Sequence, residues 1–176
     1  VAAGLVVLGG LPATGKTTIA RALARRVGAA HLRVDTIEQA IVASGLTGHP
    51  VGVAGYAVAY AVASDQLSLG LCVVADTVNP VEETRAAWRA VATSRRLPLV
   101  EVEVQCSDTV LHRERARARP GDIDGLVQPT WQDITAKEYA GWSPGLRLDT
   151  ARLAPDEAVA AIIDAAPWLT GGARHE

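Results

Sequence analysis

The sequence predicts an α/β protein in which one parallel, five-stranded sheet is covered by helices on both faces. Three observations carry that expectation. Short β-branched or apolar runs alternate with longer Ala- and Arg-rich segments of helical period. No two-residue hairpin turn joins successive strand candidates, so the connections read as βαβ crossovers. The length, 176 residues with 49% hydrophobic side chains, suits one domain spanning 1–176 with a single sizeable core.

The elements follow in order. Gly4–Leu8 is the first strand, and a Gly-rich turn leads into a helix over Lys16–Val27. His31–Val34 is the second strand, with a short helix over Thr36–Ala43 and a Gly/Pro break at Gly45–Gly52. Gly55–Leu69 has Tyr56 and Tyr60 at i, i+4 in an Ala/Val background, the pattern of a tightly packed helix. Leu71–Ala75, Leu99–Gln105 and Leu146–Asp149 are the remaining strands. Helices are expected over Val81–Arg95, Asp108–Arg119, Thr130–Tyr139 and Pro155–Ala166, with Gly121–Pro129 as a loop.

Composition excludes several function classes. Seventeen basic against nineteen acidic residues give a formal charge of −2, without the basic stripe of a general nucleic-acid binder. Charged residues are only 20% of an apolar-rich chain, which argues against disorder. The run from Gln39 to Ser64 has no formally charged side chain, but Gly45, Gly48, Pro50, Gly52 and Gly55 interrupt it, so a membrane span is not expected. The apolar start has no basic n-region and does not read as a signal peptide. Cys72 and Cys106 lie in apolar runs and read as buried thiols of a reducing compartment. A cytoplasmic protein, monomer or homodimer, is the expectation.

One contiguous motif carries specific chemistry. Gly10, Leu11, Pro12, Ala13, Thr14, Gly15, Lys16 and Thr17 match G-x-x-x-x-G-K-[ST], the P-loop, between a strand and a helix as the motif requires. Glycines let the backbone wrap a phosphate with its N–H groups turned inward, and the helix N-terminus that follows is electropositive. Thr18 extends the cradle. The expected cofactors are ATP and Mg²⁺, with Lys16 on the β- and γ-phosphates and the Thr17 hydroxyl on the metal. No N-K-x-D run reads guanine, and the chain is short for a transporter or oligomeric ATPase.

HLRVDTIEQAI, VVADTVNPVEETRAAWRAVA, HRERARAR and RLDTA together resemble bacterial P-loop small-molecule kinases of the AAA type. The Asp-Thr-Ile stretch and the R-E-R-A-R run are also similar to chloramphenicol phosphotransferase, which phosphorylates a hydroxyl of an antibiotic. The resemblance implies the P-loop NTPase three-layer sandwich, strand order 2-3-1-4-5, and a lid over approximately 117–142.

The remaining site residues have two readings each. Asp35, closing the second strand, can take the proton of an attacking hydroxyl, or can cap a helix with Glu38 at N3. Asp76 ends an apolar strand in the Walker-B manner and can serve Mg²⁺, although Asp is common where strands turn. Asn79 either caps the next helix or, as the resemblance implies, lies near the acceptor. Arg85 either reaches the crevice or pairs with Glu82. Along the helix ending at Pro120, Arg113 and Arg117 share one face while Arg115 and Arg119 share another. The resemblance implies lid arginines that neutralise the transferred phosphoryl group, and it favours Arg115 and Arg119, with Arg117 in reserve. It also places Thr150, Ala151 and Arg152 against the adenine. Trp131, Tyr139 and Trp142 read as hydrophobic anchors of the lid.

Between Arg33 and Arg85 the chain has no Lys and no Arg, in the segment from which such kinases build the acceptor pocket. An acceptor that already carries phosphate needs bidentate arginines. The segment offers Asp35, Glu38, Tyr56 and Tyr60 instead. The expectation is an ATP-dependent phosphotransferase acting on a hydroxyl of a neutral or cationic small molecule, an antibiotic among the possibilities. A metabolic nucleoside or sugar kinase, and a regulatory ATPase with no small acceptor, are the alternatives.

Overall fold

In a computed structural model, which describes residues 2–171, the strands form one all-parallel sheet of order β2-β3-β1-β4-β5. Val1 and residues 172–176, part of the expected single unit, lie outside the described residues. The elements are β1 (Gly4–Gly9), α1 (Lys16–Val27), β2 (Ala30–Arg33), α2 (Val34–Ala43), α3 (Ala54–Ser68), β3 (Cys72–Asp76), α4 (Glu82–Thr93), β4 (Leu99–Gln105), α5 (Thr109–Ala118), α6 (Trp131–Ala136), β5 (Leu146–Asp149) and α7 (Pro155–Ala165).

The sheet is buried on both faces, and strand alternation divides its side chains between two cores. Val6, Leu8, Val74, Val102 and Leu148 pack with Ile19 and Leu23 of α1 and Ile162 of α7. Leu5, Val7, Val73 and Ala75 pack on the other face with Ala59, Ala63, Leu67 and Trp88 of α3 and α4. Since all strands run the same way, their C-terminal ends open on one edge. The register sets Asp76 beside Leu8 and beside Arg33, which brings β1, β2 and β3 to a common crevice.

Several expected boundaries shift for local reasons. Val34 and Asp35 belong to α2, whose N-cap is Arg33 with no side-chain cap, so Asp35 is not a capping residue. Asn79 does not cap α4: the N-cap is Val81, and Asn79 turns the chain before it with φ 53°. Thr130 instead forms a capping box with Asp133 at α6. The α3 helix is packed on one side only. Gly55, Ala59, Ala63 and Leu67 are buried, while Val58 and Val62 on the opposite face are open. Cys72 is buried, as expected, but Cys106 is only partly so; both are free thiols. No helix among the described residues is long and apolar enough to cross a membrane.

Candidate active site

The Gly10–Thr17 loop crosses the open edge of the sheet and ends at the start of α1. Gly10 has φ 143°, and a Cβ there would lie 2.1 Å from the Val104 carbonyl oxygen, so no other residue fits. Gly15, the N-cap, has φ 96°. No side chain caps α1 and no acid sits in its first turn, which leaves its amides and positive dipole end free. The loop is braced from outside. The Leu11 carbonyl accepts from the Thr14 hydroxyl at 2.9 Å, Thr150 Oγ1 donates to the Thr14 carbonyl at 2.8 Å, and His112 Nε2 lies 2.8 Å from the Pro12 carbonyl. These bonds order the cradle before any ligand enters.

A cleft of about 780 Å³ lies over this loop. It is lined by Pro12, Ala13, Gly15, Lys16, Thr17 and Thr18 on one side, while Asp35, Tyr56, Asp76, Arg115, Arg119 and Thr150 also face it. Gly10, Leu11 and Thr14 build the loop rather than line the cleft. Lys16 folds back to donate to the Leu11 carbonyl at 2.8 Å, and burial lowers its pKa to about 8 against the pull of Asp76 and Asp35.

Asp76, 3% exposed, has Oδ2 with no hydrogen-bond partner within range. The nearest basic side chains are His31, with Nε2 at 3.6 Å, and Arg33, with Nε at 3.9 Å. Burial opposes its ionisation, yet His31, Lys16 and the Thr17 hydroxyl outweigh burial and hold it below the ordinary carboxylate range. An ionised, orphaned carboxylate oxygen beside a threonine hydroxyl is a hard oxygen donor set, and it fits a divalent cation such as Mg²⁺.

Asp35 sits in the first turn of α2 with its side chain 35% exposed to the cleft. Its Oδ2 lies 3.7 Å from Arg33 Nη2 and 3.9 Å from Arg119 Nη2. Arg33 is the hub of this end. It is buried, faces Asp35 and Asp76, and donates from Nη1 to Asp122 Oδ2 at 2.7 Å. Asp122 also pairs with Arg21 at 3.0 Å, which ties the 119–130 segment to β2 and α1.

Four expected residues are placed elsewhere. Arg85 is 1% exposed and does not reach the crevice. Its guanidinium donates to the carbonyls of Asn79, Pro80, Ala140 and Gly141 and stacks near Tyr139 and Trp142, at 5.4 and 4.9 Å from the ring centres. It pins the 139–142 turn to the sheet; Glu82 pairs with Arg89 instead. Asn79 is fully buried and neither caps α4 nor lines the cleft. Tyr60 points away from the cleft: it donates to the Thr84 carbonyl at 3.2 Å and meets Trp88 edge-on. Arg152 turns outward, its side chain 81% exposed beside Asp149.

The two favoured arginines separate. Arg119, at the end of α5, faces Asp35. Arg115 donates to Thr150 Oγ1 at 2.8 Å and to the Thr150 carbonyl at 3.1 Å, so its fork is engaged at the β5 end rather than beside Asp35. Arg117 is exposed. Trp142 is an anchor as expected, buried against Gly9, where a Cβ would lie 2.6 Å from its ring. Trp131 meets His112 edge-on, with ring centres 5.0 Å apart.

Some site residues escaped the sequence reading. His31 and Arg33 alternate on β2, a spacing that puts both on the Asp76 side, and this period was the available signal. Lys137, Gln128 and Asp122 line the cleft from the far side of the chain, and no local pattern marks them. The interval between Arg33 and Arg85 brings no Lys or Arg to the cleft, but Arg21, Arg119 and Lys137 enter it from outside that interval.

A parallel sheet of this order, with a P-loop between its central strand and α1 and an acid at the end of the neighbouring strand, defines the α/β P-loop NTPase fold. The chain belongs to the AAA domain family, whose model matches residues 5–137. An uncharacterized Mycobacterium tuberculosis protein is 31% identical over 160 residues, covering 84% of this chain and 32% of that one. The chain thus spans about a third of the length of the curated relatives it matches. Among solved structures, the Mycobacterium tuberculosis APS kinase in complex with AMPPNP and APS matches 94% of this chain and 98% of its own, with TM-score 0.72 and 22% identity. A Sinorhizobium meliloti gluconokinase covers 98% of each chain with TM-score 0.61 and 16% identity. Chaetomium thermophilum Kti12, solved with ADP-AlF3, covers 92% of this chain and 98% of its own, with TM-score 0.66 and 20% identity. At these identities the structures establish a shared fold.

Proposed function

We propose that the chain is an ATP-dependent phosphotransferase that moves the γ-phosphoryl group to a hydroxyl of a small, neutral or cationic molecule. The observation that carries this reading is the placement of Asp35 in the same cleft as the open N-terminus of α1 and Lys16. The P-loop amides and Lys16 hold the phosphates. Thr17 and Asp76 hold Mg²⁺, which when bound neutralises phosphate charge. Asp35 accepts the acceptor's hydroxyl proton as the new O–P bond forms and the bond to the β-phosphate oxygen breaks, releasing ADP. Arg119 stabilises charge on the transferred group, while Arg115 and Thr150 shape the nucleotide end. A reducing, ATP-rich cytoplasm suits such an enzyme and its two free thiols.

The test is a phosphotransfer screen with MgATP and MgGTP against diverse hydroxyl compounds, read by mass spectrometry. Antibiotic, sugar and nucleoside hydroxyls all fall in the expected class, and the screen separates them. ADP formation that ignores every acceptor but responds to a protein partner points to a regulatory ATPase instead.

A further inference from the structure

Arg33 closes β2, and its side chain is only 3% exposed. It faces Asp35 from α2, Asp76 from β3 and Asp122 from the segment after α5. A buried guanidinium needs its N–H groups paired, because water no longer serves them. Yet only one of its three nitrogens is bonded. Nη1 donates to Asp122 Oδ2 at 2.7 Å, while Nε and Nη2 are shut off from water with no hydrogen-bond partner. Nη2 lies 3.7 Å from Asp35 Oδ2, and Nε lies 3.9 Å from Asp76 Oδ2.

The bonded partner sits on a connection that has neither helix nor strand between α5 and α6. Pro120, Asp122, Leu126 and Pro129 of this connection line the cleft. Its middle is held by Asp122, which also pairs with Arg21 at 3.0 Å. Gly125 adds a close approach, since a Cβ there would lie 2.8 Å from Gln39 Nε2. The bond from Arg33 keeps the Asp122 carboxyl below the ordinary carboxylate range, so this partner is charged.

A guanidinium is a rigid, planar fork, so fixing Nη1 fixes where Nη2 and Nε point. Freed from Asp122, a buried cation beside two carboxylates would close the short remaining gap and bond to one of them. A carboxylate whose oxygens accept from arginine is a weaker base for an incoming hydroxyl. We infer that Asp122 and Arg33 are positioning residues for transfer: with the 119–130 segment docked, Asp122 holds Arg33 off Asp35 and leaves that carboxylate open to the acceptor's hydroxyl. The inference rests on the phosphotransferase reading above and makes docking of the segment a condition for transfer. Arg119, at the start of the same segment, likewise stays 3.9 Å from Asp35 Oδ2.

The test sets Asp122→Asn, Asp122→Glu, Arg33→Gln and the Asp122→Asn/Arg33→Gln pair beside the wild type. Hydrogen exchange read by mass spectrometry follows the 119–130 amides without any acceptor, and Tm is recorded for each protein. Asp122→Asn should quicken that exchange about tenfold, whereas Asp122→Glu should keep most of the protection. With MgATP and the hydroxyl compound that the screen identifies, kcat of Asp122→Asn should fall about tenfold to hundredfold. ATP affinity and acceptor KM should stay within about threefold. In the Arg33→Gln background no guanidinium is left to occupy Asp35, so adding Asp122→Asn should change kcat by less than about twofold. The Asp122 side chain is 28% exposed, so its variants leave the buried site packed even where Arg33→Gln fails to fold. Unchanged exchange in Asp122→Asn overturns the inference. So does an unmoved kcat, and so does an equal loss of kcat with and without Arg33. MgATP binding with no transfer to any hydroxyl compound by the wild type overturns the phosphotransferase reading and the positioning role with it, while exchange alone then decides whether Asp122 holds the segment.

Discussion

The two ends of the cleft are built in opposite ways. At the end proposed for the nucleotide nearly every polar group already has a partner. Thr14, Lys16, His112, Arg115 and Thr150 are bonded to one another or to loop carbonyls. At the acceptor end the polar groups wait. Glu38 is unpaired among the described residues, and Asp35 meets its arginines only at 3.7 and 3.9 Å. The first arrangement presents backbone donors of fixed geometry, which suits a ligand part that never varies. The second offers side chains free to gain partners from a bound molecule, and under the proposed function this is where selectivity would lie.

The largest effect that can break this comparison is at the nucleotide end. Lys16→Ala removes the sole ammonium of the cradle and should lower ATP-dependent turnover by about 10³-fold, measured by coupled ADP release. If turnover survives, the braced loop is not the phosphate site.

Arg85→Ala comes next, and its effect should appear in stability. The carbonyls of Asn79, Ala140 and Gly141 lose the guanidinium donor, that of Pro80 keeps only the Ala140 amide, and two rings lose their packing partner. The expected cost is about 3–5 kcal/mol, a fall of roughly 10 °C in Tm by calorimetry or thermal fluorescence. A large change in acceptor KM with an unchanged Tm would return Arg85 to the cleft.

Protonation sharpens the contrast. Burial lowers Lys16 from 10.5 to about 8, and bound phosphates would restore its charge. Nucleotide binding near pH 8 should then take up about half a proton, seen by calorimetry in buffers of different ionisation heat. Affinity should fall as pH rises above that point, approaching about tenfold per unit. For the ligand-free protein the sign is set by the unfolded chain holding this proton more tightly. The cost to stability is full below pH 8 and fades as pH climbs toward 10.5. A flat binding profile from pH 7 to 9 contradicts the buried lysine.

The smallest effect belongs to a brace. Thr150→Val removes the hydroxyl that links Arg115 to the Thr14 carbonyl. ATP KM should rise about threefold to tenfold, with acceptor KM unchanged in steady-state kinetics.

The same contrast governs how much the sequence revealed. The strands and the P-loop were legible because alternation and a contiguous motif are local signals, and Leu146–Asp149 matched to the residue, while the strand order came from the family resemblance those motifs carry. The acceptor end was legible only in part. The cleft lining gathers Asp35 and Glu38 from α2, Tyr56 from α3 and Gln128 and Lys137 from the segment around α6, and no spacing within one segment announces that meeting. Arginines were hardest. Arg33 and Arg85 are both buried, yet one faces carboxylates while the other is saturated by backbone carbonyls, and identical residue types give no clue to which is which.

The central claim is that Asp35 serves the acceptor and not the nucleotide. The most direct measurement sets Asp35→Asn beside the wild type, recording ATP affinity by calorimetry and single-turnover transfer to the acceptor found in the screen. The account predicts transfer reduced by about 10²–10⁴-fold with ATP affinity within about twofold. Transfer that persists in the variant, or ATP binding that is lost with it, contradicts the account.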